Sequence, residues 1–425
     1  MWKPFRDALK NCGSQSSRIL VTTRKDQVAK MMESANTIQL EDLSEEDCWL
    51  VFSKIAFSDK DRQQCEQLED FGKQISKKCK GLPLAARTLG SLMRLKKSKE
   101  DWKNVLNSNL WELEVVEKGL FAPLLLSYYD LSSPLKWCFS YCVVFPKTHV
   151  FYVDELVYMW TAHGFVESRE NMEVEIMARE YLENLVIRSF FQECKEYKRF
   201  GTRYKMHDIV HDFAQSITEA HHLGYSRRSQ FPPSTNRSKN LRTVIFFNHN
   251  DYNISNLVQN FSRLQVLTLH CMMELPDTIG NLIHLRYLDL YECKEYVSFR
   301  KCEMPETICN LCNLQFLRLG ESMSSPKILP QEIGKLINLR LLIVYNLVIP
   351  RGIGRLTSLR TLNSVLISDE DSKGSKLEEL KNLNHLRDLY LSFNEGFDPI
   401  ALAPNDRRIV SNVLSLNALK PPQEL

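Results

Sequence analysis

The segment Leu285-Arg286-Tyr287-Leu288-Asp289-Leu290 has the pattern Leu-x-x-Leu-x-Leu, and this pattern, with some apolar exchanges, returns through the carboxyl-terminal half of the chain. The first leucine of the pattern stands at Leu241, Leu264, Leu285, Leu314, Leu339, Leu359 and Leu386. The intervals between these leucines run from 20 to 29 residues. A short strand repeated at this period predicts stacked units that share one continuous core.

A second block repeats in fixed phase with the first. In four units a proline stands nine residues before the next first leucine, and an isoleucine follows the proline three residues later. The prolines are Pro276, Pro305, Pro330 and Pro350, and the isoleucines are Ile279, Ile308, Ile333 and Ile353. This phase is typical of leucine-rich repeats, so residues 241–425 are predicted to form a solenoid of about seven units.

Side chains alternate along each strand, so the residues between the inward leucines should face outward on the concave side. They are Gln265, Thr268, Tyr287, Asp289, Phe316, Arg318, Leu341, Ile343, Asp388 and Tyr390. An arginine also follows the first leucine of five units, at Arg242, Arg286, Arg340, Arg360 and Arg387. We predict that this face, with its ladder of arginines, recognises protein. The alternative is a row of solvated charges.

The first 42 residues alternate between helical and strand-like patterns. The continuous apolar run from Ile19 to Thr23 predicts a buried strand, the segment from Gln27 to about Glu33 a helix capped by Asp26, and Thr37 to Leu40 a second strand. We interpret residues 1–42 as the carboxyl-terminal part of an α/β domain.

From Leu43 the pattern of apolar residues becomes helical. Ser44 can cap one helix, Gly81 can end another, and Pro83 can occupy the first turn of the next, which together predict a helical bundle over residues 43–118. Residues 119–222 are helix-rich and aromatic and are predicted to form a second compact domain. Residues 223–240 are interpreted as a linker, since prolines and basic residues dominate its later part.

Composition excludes several classes of protein. The 425 residues have a net charge of only +3, too slight an excess to support nucleic-acid binding by charge alone, and there is neither a signal peptide nor an apolar run long enough to span a bilayer. The twelve cysteines are therefore interpreted as reduced thiols.

Two groups of residues have spacings that partly resemble zinc sites, and neither is predicted to bind a metal. Cys293, Cys302, Cys309 and Cys312 lack a second Cys-x-x-Cys pair, and the repeat pattern accounts for the last two. His207 and His211 resemble the zinc-protease spacing, but Asp208 replaces the glutamate of that motif.

The phosphate-binding pattern Gly-x-x-x-x-Gly-Lys-Ser/Thr does not occur in the sequence. Gly72-Lys73 and Gly334-Lys335 are followed by Gln74 and Leu336, which lack the magnesium-binding hydroxyl. We therefore expect no tight autonomous ATP binding and no enzymatic activity.

Five motifs then occur in a fixed order. They are Ser17–Arg24 (SRILVTTR), Leu43–Trp49 (LSEEDCW), Gly81–Ala85 (GLPLA), Cys138–Pro146 (CFSYCVVFP) and Met206–Asp208 (MHD). This series resembles the NB-ARC module, and with the repeats the chain resembles a plant NLR disease-resistance protein of the coiled-coil type. The resemblance implies a P-loop α/β domain, a helical domain (residues 43–118), a winged-helix domain (residues 119–222) and leucine-rich repeats.

In that family the module is an ADP/ATP switch, and the resemblance carries over residue by residue. Arg24 resembles the arginine that reads the γ-phosphate end of the nucleotide; a surface ion pair is the alternative. Pro83, with Leu82, resembles the residue packing on adenine. His207 resembles the histidine that contacts the ADP β-phosphate, and Met206 and Asp208 look like its neighbours in the same motif.

The resemblance also implies a place and partners. It points to a cytoplasmic immune receptor, with nuclear or peripheral-membrane location as alternatives. In that family the repeat face contacts the nucleotide module or a pathogen-derived or guarded host protein, and an intact receptor oligomerises on activation.

The chain starts after the family's P-loop and acidic magnesium strand, so we expect an amino-terminally truncated receptor that binds ADP weakly or not at all and holds no Mg²⁺. A degenerate gene product acting only as a scaffold is the alternative, and a working ATPase and a winged-helix DNA-binding protein are the rivals.

Overall fold

The computed structural model describes residues 20–23, 26–32, 36–111, 121–167, 173–194, 202–218, 223–226, 241–246, 258–270, 275–291, 304–319, 327–348, 350–367 and 379–393. Three parts follow one another along the chain. We call them the helical unit (43–111), the middle unit (121–218) and the repeat unit (223–393).

A short helix precedes the helical unit, and four helices build it. They are α1 Asp26–Met31, followed by α2 Glu45–Ala56, α3 Arg62–Lys77, α4 Pro83–Leu95 and α5 Lys99–Leu106. One apolar face of each of the four later helices turns inward, and Phe52, Ile75, Leu89 and Trp102 are completely buried where those faces meet. Trp102 is therefore the centre of this core.

Local sequence determines where these helices begin and end. The Ser44 hydroxyl accepts a hydrogen bond from the Asp47 amide at 3.0 Å, which confirms the predicted cap of α2. Gly81 has φ +74°, and a Cβ there would lie 2.7 Å from the carbonyl oxygen of Leu43, so only glycine fits the turn after α3. Pro83 is the first residue of α4, as predicted.

The two strands predicted near the amino terminus are not formed. Residues 20–23 and 36–40 have no regular secondary structure, and the side chains of Leu20, Ile38 and Leu40 are more than 80% exposed. A strand needs a neighbour for its backbone hydrogen bonds, and neither sheet of the described chain pairs with these segments. The predicted helix is present but short, because α1 ends at Met31.

The middle unit combines helices with a small antiparallel sheet. In chain order it contains α6 Phe121–Tyr129, α7 Ser133–Tyr141, β1 Val150–Tyr152, α8 Val153–His163, α9 Val174–Ile187, β2 Phe191–Glu193, β3 Arg203–Met206 and α10 Asp208–Ile217. The strand order is β1-β3-β2. Phe139, Phe190 and Phe213 are buried together at its centre.

The repeat unit is a parallel sheet backed by 3₁₀ turns. Its strands are β4 Leu223–Ser226, β5 Thr243–Phe246, β6 Val266–His270, β7 Tyr287–Tyr291, β8 Phe316–Leu319, β9 Lys327–Ile328, β10 Leu341–Val348, β11 Thr361–Ile367 and β12 Asp388–Phe393. The main path follows chain order, except that β9 pairs beside β10. Leu288 stands opposite Leu317 in the register, so equivalent leucines stack from unit to unit.

The phase of the repeats is confirmed by burial. The seven first leucines lie in or against one continuous core, and the four isoleucines that follow the prolines are completely buried. Pro276 and Pro305 immediately precede 3₁₀ turns, where their fixed φ suits the start of the turn. At Gly280 a Cβ would lie 2.5 Å from the carbonyl oxygen of Thr307, so this glycine allows adjacent units to approach closely.

No helix within the described residues is long and apolar enough to cross a membrane.

Candidate functional site

The concave face of the solenoid is covered by the middle unit. Ile245, Val266, Tyr287, Phe316 and Leu341 point out of the solenoid core and join the aromatic core of the middle unit. The outward direction was predicted for the last three of them. Each of these five side chains is at least 97% buried. One apolar cluster therefore spans two units that are far apart in sequence.

Aromatic stacking marks the middle of this contact. Tyr158 on α8 stacks on Phe316 of β8, with ring centroids 4.9 Å apart and an angle of 28° between the planes. Tyr287 is the register partner of Phe316 on the neighbouring strand, with ring centroids 6.2 Å apart. Burial raises the pKa of the Tyr158 hydroxyl, so this side chain stays neutral.

His163, the last residue of α8, connects the middle unit to the first repeats. Its Nδ1 lies 3.0 Å from Gln265 Oε1, and its Nε2 lies 2.7 Å from Thr243 Oγ1. Burial lowers the pKa of His163 to about 3, so the imidazole is neutral. Because a carbonyl oxygen only accepts, Nδ1–H donates to Gln265, and Nε2 accepts from the Thr243 hydroxyl.

Three arginines of the predicted ladder pair with two glutamates at the start of α9. Glu175 Oε1 and Oε2 accept from Arg340 Nε and Nη2, both at 2.6 Å, and Oε2 also accepts from Arg360 Nη1 at 2.6 Å. Glu173 pairs with Arg360 at 3.1 Å and with Arg387. The Glu175, Arg340 and Arg360 side chains are 15 to 25% exposed, so this network is shielded from solvent.

One arginine of the ladder bonds to the backbone instead. Arg286 Nη1 donates to the carbonyl oxygen of Ala162 at 3.2 Å, in the last turn of α8. A guanidinium is favourable there, because the carboxyl end of a helix carries partial negative charge. Arg286 and the Glu175 pairs thus connect the solenoid to two helices of the middle unit.

The residues assigned to the nucleotide by resemblance lie elsewhere. Arg24 is outside the described residues. Leu82 is the residue before α4 and packs on the helical core, and Pro83 is the exposed first residue of that helix. Met206 is buried in the core of the middle unit, and Asp208 begins α10.

His207 has a geometry that fits a phosphate oxygen. Its Nδ1 accepts a hydrogen bond from the Ile209 amide at 3.2 Å, which caps α10. In the neutral ring the proton is then on Nε2, which is free to act as a donor. The side chain is partly exposed. Nε2 of His207 would thus supply one hydrogen-bond donor to an anionic ligand at this position.

Two contacts connect the helical unit to the middle unit. The hydroxyls of Ser91 on α4 and Ser189 lie 2.7 Å apart and are buried. Asp130 accepts from Arg188 Nη1 at 2.8 Å and also pairs with Lys96. The helical unit, which contains α4, and the middle unit, which contains α10, are therefore joined by polar contacts.

The alternative zinc ligands have other roles where the structure describes them. His211 Nε2 donates to the carbonyl oxygen of Phe145 at 2.8 Å. Cys309 is buried in the repeat core, Cys312 is exposed, and Cys293 and Cys302 lie outside the described residues.

Sequence reasoning identified the arginines but missed their partners. Glu173, Glu175, Tyr158 and His163 all lie in the middle unit and carry no local motif. The available signal was the row of apolar residues at outward positions of the strands, Val266, Tyr287, Phe316 and Leu341, because an exposed apolar stripe indicates a covering partner.

Fold and site together define a leucine-rich-repeat solenoid docked by its concave face on a helical domain with a small sheet. Family models agree with this class: the leucine-rich repeat region matches residues 240–411, the disease resistance protein winged helix domain matches residues 144–214, and the NB-ARC domain matches residues 2–62.

Curated relatives give the same result. The chain is 38% identical over 291 residues to the putative disease resistance protein RGA1 of Solanum bulbocastanum, covering 68% of this chain and 29% of the relative. It is 34% identical over 311 residues to the putative disease resistance RPP13-like protein 1 of Arabidopsis thaliana, covering 65% and 29%. The chain thus spans less than a third of the length of these relatives. It belongs to the family of plant disease-resistance proteins with NB-ARC, winged-helix and leucine-rich-repeat domains.

Proposed function

We propose that this chain is a segment of an intracellular plant immune receptor in which the docked repeat unit restrains a nucleotide switch. The observation that carries the proposal is the Glu175 carboxylate held by Arg340 and Arg360 across the interface. A rigid-body switch of the winged-helix domain would have to break these pairs, so docking favours the resting state.

The burial of the concave face indicates which partner the arginines contact in the resting state. Tyr287, Asp289 and Phe316 are buried against the middle unit, so an outside protein would reach them only after undocking. This supports the receptor's own module as the resting partner of the ladder. A pathogen-derived or guarded host protein would then act by competing for the concave face or by binding the exposed end of the array near Tyr390.

Docking is tested by cutting the chain between the two units. A protease site placed at positions 219–222, between α10 and β4, would divide the intact protein after it has folded. We expect the pieces to remain together in gel filtration at micromolar concentration, because the interface combines a buried apolar core with shielded ion pairs. Separate elution of two folded pieces would contradict the docking.

We further propose that nucleotide binding by this polypeptide is weak or absent and that it hydrolyses no ATP. His207 and Pro83 supply a phosphate donor and an apolar contact, but the chain contains no Gly-x-x-x-x-Gly-Lys-Ser/Thr sequence to cradle the phosphates. Its residues 1–42 would belong to the nucleotide-binding α/β domain, as the NB-ARC match over residues 2–62 supports.

The expected result for the isolated chain is no measurable heat in a calorimetric titration with ADP at micromolar concentrations. Adding an upstream segment that encodes the phosphate-binding loop should restore binding, and His207→Ala in that longer protein should weaken it. Micromolar or tighter binding of ADP by the 425-residue chain would overturn the proposal.

A further inference from the structure

Asp289 is a buried carboxyl group in the middle of the docked face. It lies on β7, where the strand register places it between Thr268 of β6 and Arg318 of β8. The residue is 93% buried. Its Oδ2 accepts from the Tyr287 hydroxyl at 3.2 Å, while Oδ1 has no hydrogen-bond partner in the described structure.

The surroundings of Asp289 compensate a negative charge poorly. Arg318 Nη1 is 3.9 Å from Oδ2, which is too long for a hydrogen bond. Across the interface α8 contributes Glu155, a charge of the same sign, and Glu155 is itself 3.2 Å from His149 Nε2. An ionised carboxylate is therefore desolvated here without a matching donor for one oxygen.

Four effects act on the carboxyl group. Burial is the largest and raises the pKa, and the Glu155 charge raises it further. Arg318 and the Tyr287 hydroxyl lower it, and the balance raises the pKa of Asp289 to about 6. Without the cover of α8 the group would regain water and return toward the ordinary range of an aspartate.

We propose that docking of the repeat unit on the middle unit takes up a proton at Asp289, and that this contribution to the interface weakens as pH rises. The inference rests on the proposed docking and adds its regulation. The Asp289 carboxyl binds more protons in the docked state than in the open state between its open and docked pKa values. The contribution of Asp289 to docking is therefore largest in acid and is lost as pH rises toward 7.

His163 is another group of this interface whose pKa is strongly shifted. Burial beside Gln265 and Thr243 lowers its pKa to about 3, so undocking returns it toward the ordinary range of a histidine, where it takes up a proton in acid. The His163 contribution therefore strengthens docking as pH rises and opposes that of Asp289.

Tyr287 stays neutral because burial raises its pKa, and arginines such as Arg318 keep their charge at all physiological pH values. His149 Nε2 lies 3.2 Å from Glu155, and His149→Gln is included as a control for that pair.

The test is hydroxyl-radical footprinting of Tyr158 and Phe316 in the full chain between pH 5 and pH 7. Urea is set so that about half of the wild-type molecules are open at pH 6. From pH 5 to pH 7 the ratio of open to docked protein in the wild type, divided by the same ratio in Asp289→Asn, should rise about tenfold, because the His163 contribution is common to both proteins. In Asp289→Asn alone the ratio should fall over this range, since the His163 contribution remains.

Two controls should retain the wild-type dependence on pH, namely His149→Gln and Asp388→Asn on the same concave face. If Asp289→Asn fails to fold, Tyr287→Phe provides the test, because loss of the phenol donor should raise the pH at which the Asp289 contribution to docking is half lost. A ratio in the wild type, relative to that in Asp289→Asn, that stays constant from pH 5 to pH 7 overturns the proton link. An unchanged dependence on pH in Tyr287→Phe overturns it as well. Exposure of both aromatic residues without urea at every pH would instead overturn the docking itself.

Discussion

Replacing Glu175 by lysine is expected to separate the repeat unit from the middle unit. The substitution removes three hydrogen bonds and places a third positive charge beside Arg340, which loses its carboxylate partner, and Arg360, which keeps only Glu173. Loss of one partner from a desolvated ion pair costs about 2–5 kcal/mol. In gel filtration of the chain cleaved at 219–222, the dissociation constant should rise about 30-fold to about 5,000-fold.

Glu180→Lys provides the matched control for this prediction. Glu180 is on the same helix, and its replacement makes the same change in charge, but Glu180 is exposed. Five residues along a helix also place it about 140° around the axis from Glu175. We expect the cleaved pieces of Glu180→Lys to remain together. The double variant Glu175→Lys with Arg340→Glu should recover part of the affinity, since it rebuilds one pair in reverse. If the dissociation constant of Glu175→Lys stays within about threefold of the wild type, the ion pairs do not hold the interface.

The repeat unit could be predicted in detail because each of its units is local. A leucine, a proline and an isoleucine at fixed spacing specify a strand and a turn, and the neighbouring unit buries both. The spacing of Pro276, Ile279 and Leu285 was therefore enough to predict the strand and the turn of that unit. The alternation of side chains also gave the outward direction of Tyr287 and Phe316 correctly.

The residues of the middle unit that make the docking contacts could not be predicted, because these contacts join residues without a shared local pattern. Glu175 and Arg340 are 165 positions apart, and nothing near Glu175 in the sequence distinguishes it from a solvated acid at a helix start. The error at the amino terminus has the same origin. Apolar β-branched runs predict strands only where a partner strand is present, and residues 20–23 and 36–40 have none in the described structure.

Phe316→Ala is expected to weaken docking as strongly as the loss of Glu175, while leaving the solenoid folded. The Phe316 side chain is 99% buried, yet it belongs to the core of the middle unit, whereas the adjacent Leu317 belongs to the repeat core. Truncation of a buried phenylalanine costs about 3–5 kcal/mol. In the cleaved chain this should appear as weaker association, with unchanged strand content by circular dichroism in the repeat piece.

Two further variants separate aromatic packing from a general effect on the solenoid. Tyr390→Ala removes a half-exposed aromatic residue from the same concave face and should leave association unchanged. Tyr158→Ala should weaken docking, and its combination with Phe316→Ala should cost less than the sum of the single changes by about 0.5–1.5 kcal/mol, because the stacked pair can be lost only once. Full additivity would mean that the two rings contribute independently.

The Glu175 and Phe316 variants together then determine whether charge or apolar burial dominates the restraint on the switch, since only the Glu175 contribution should fall as salt concentration rises.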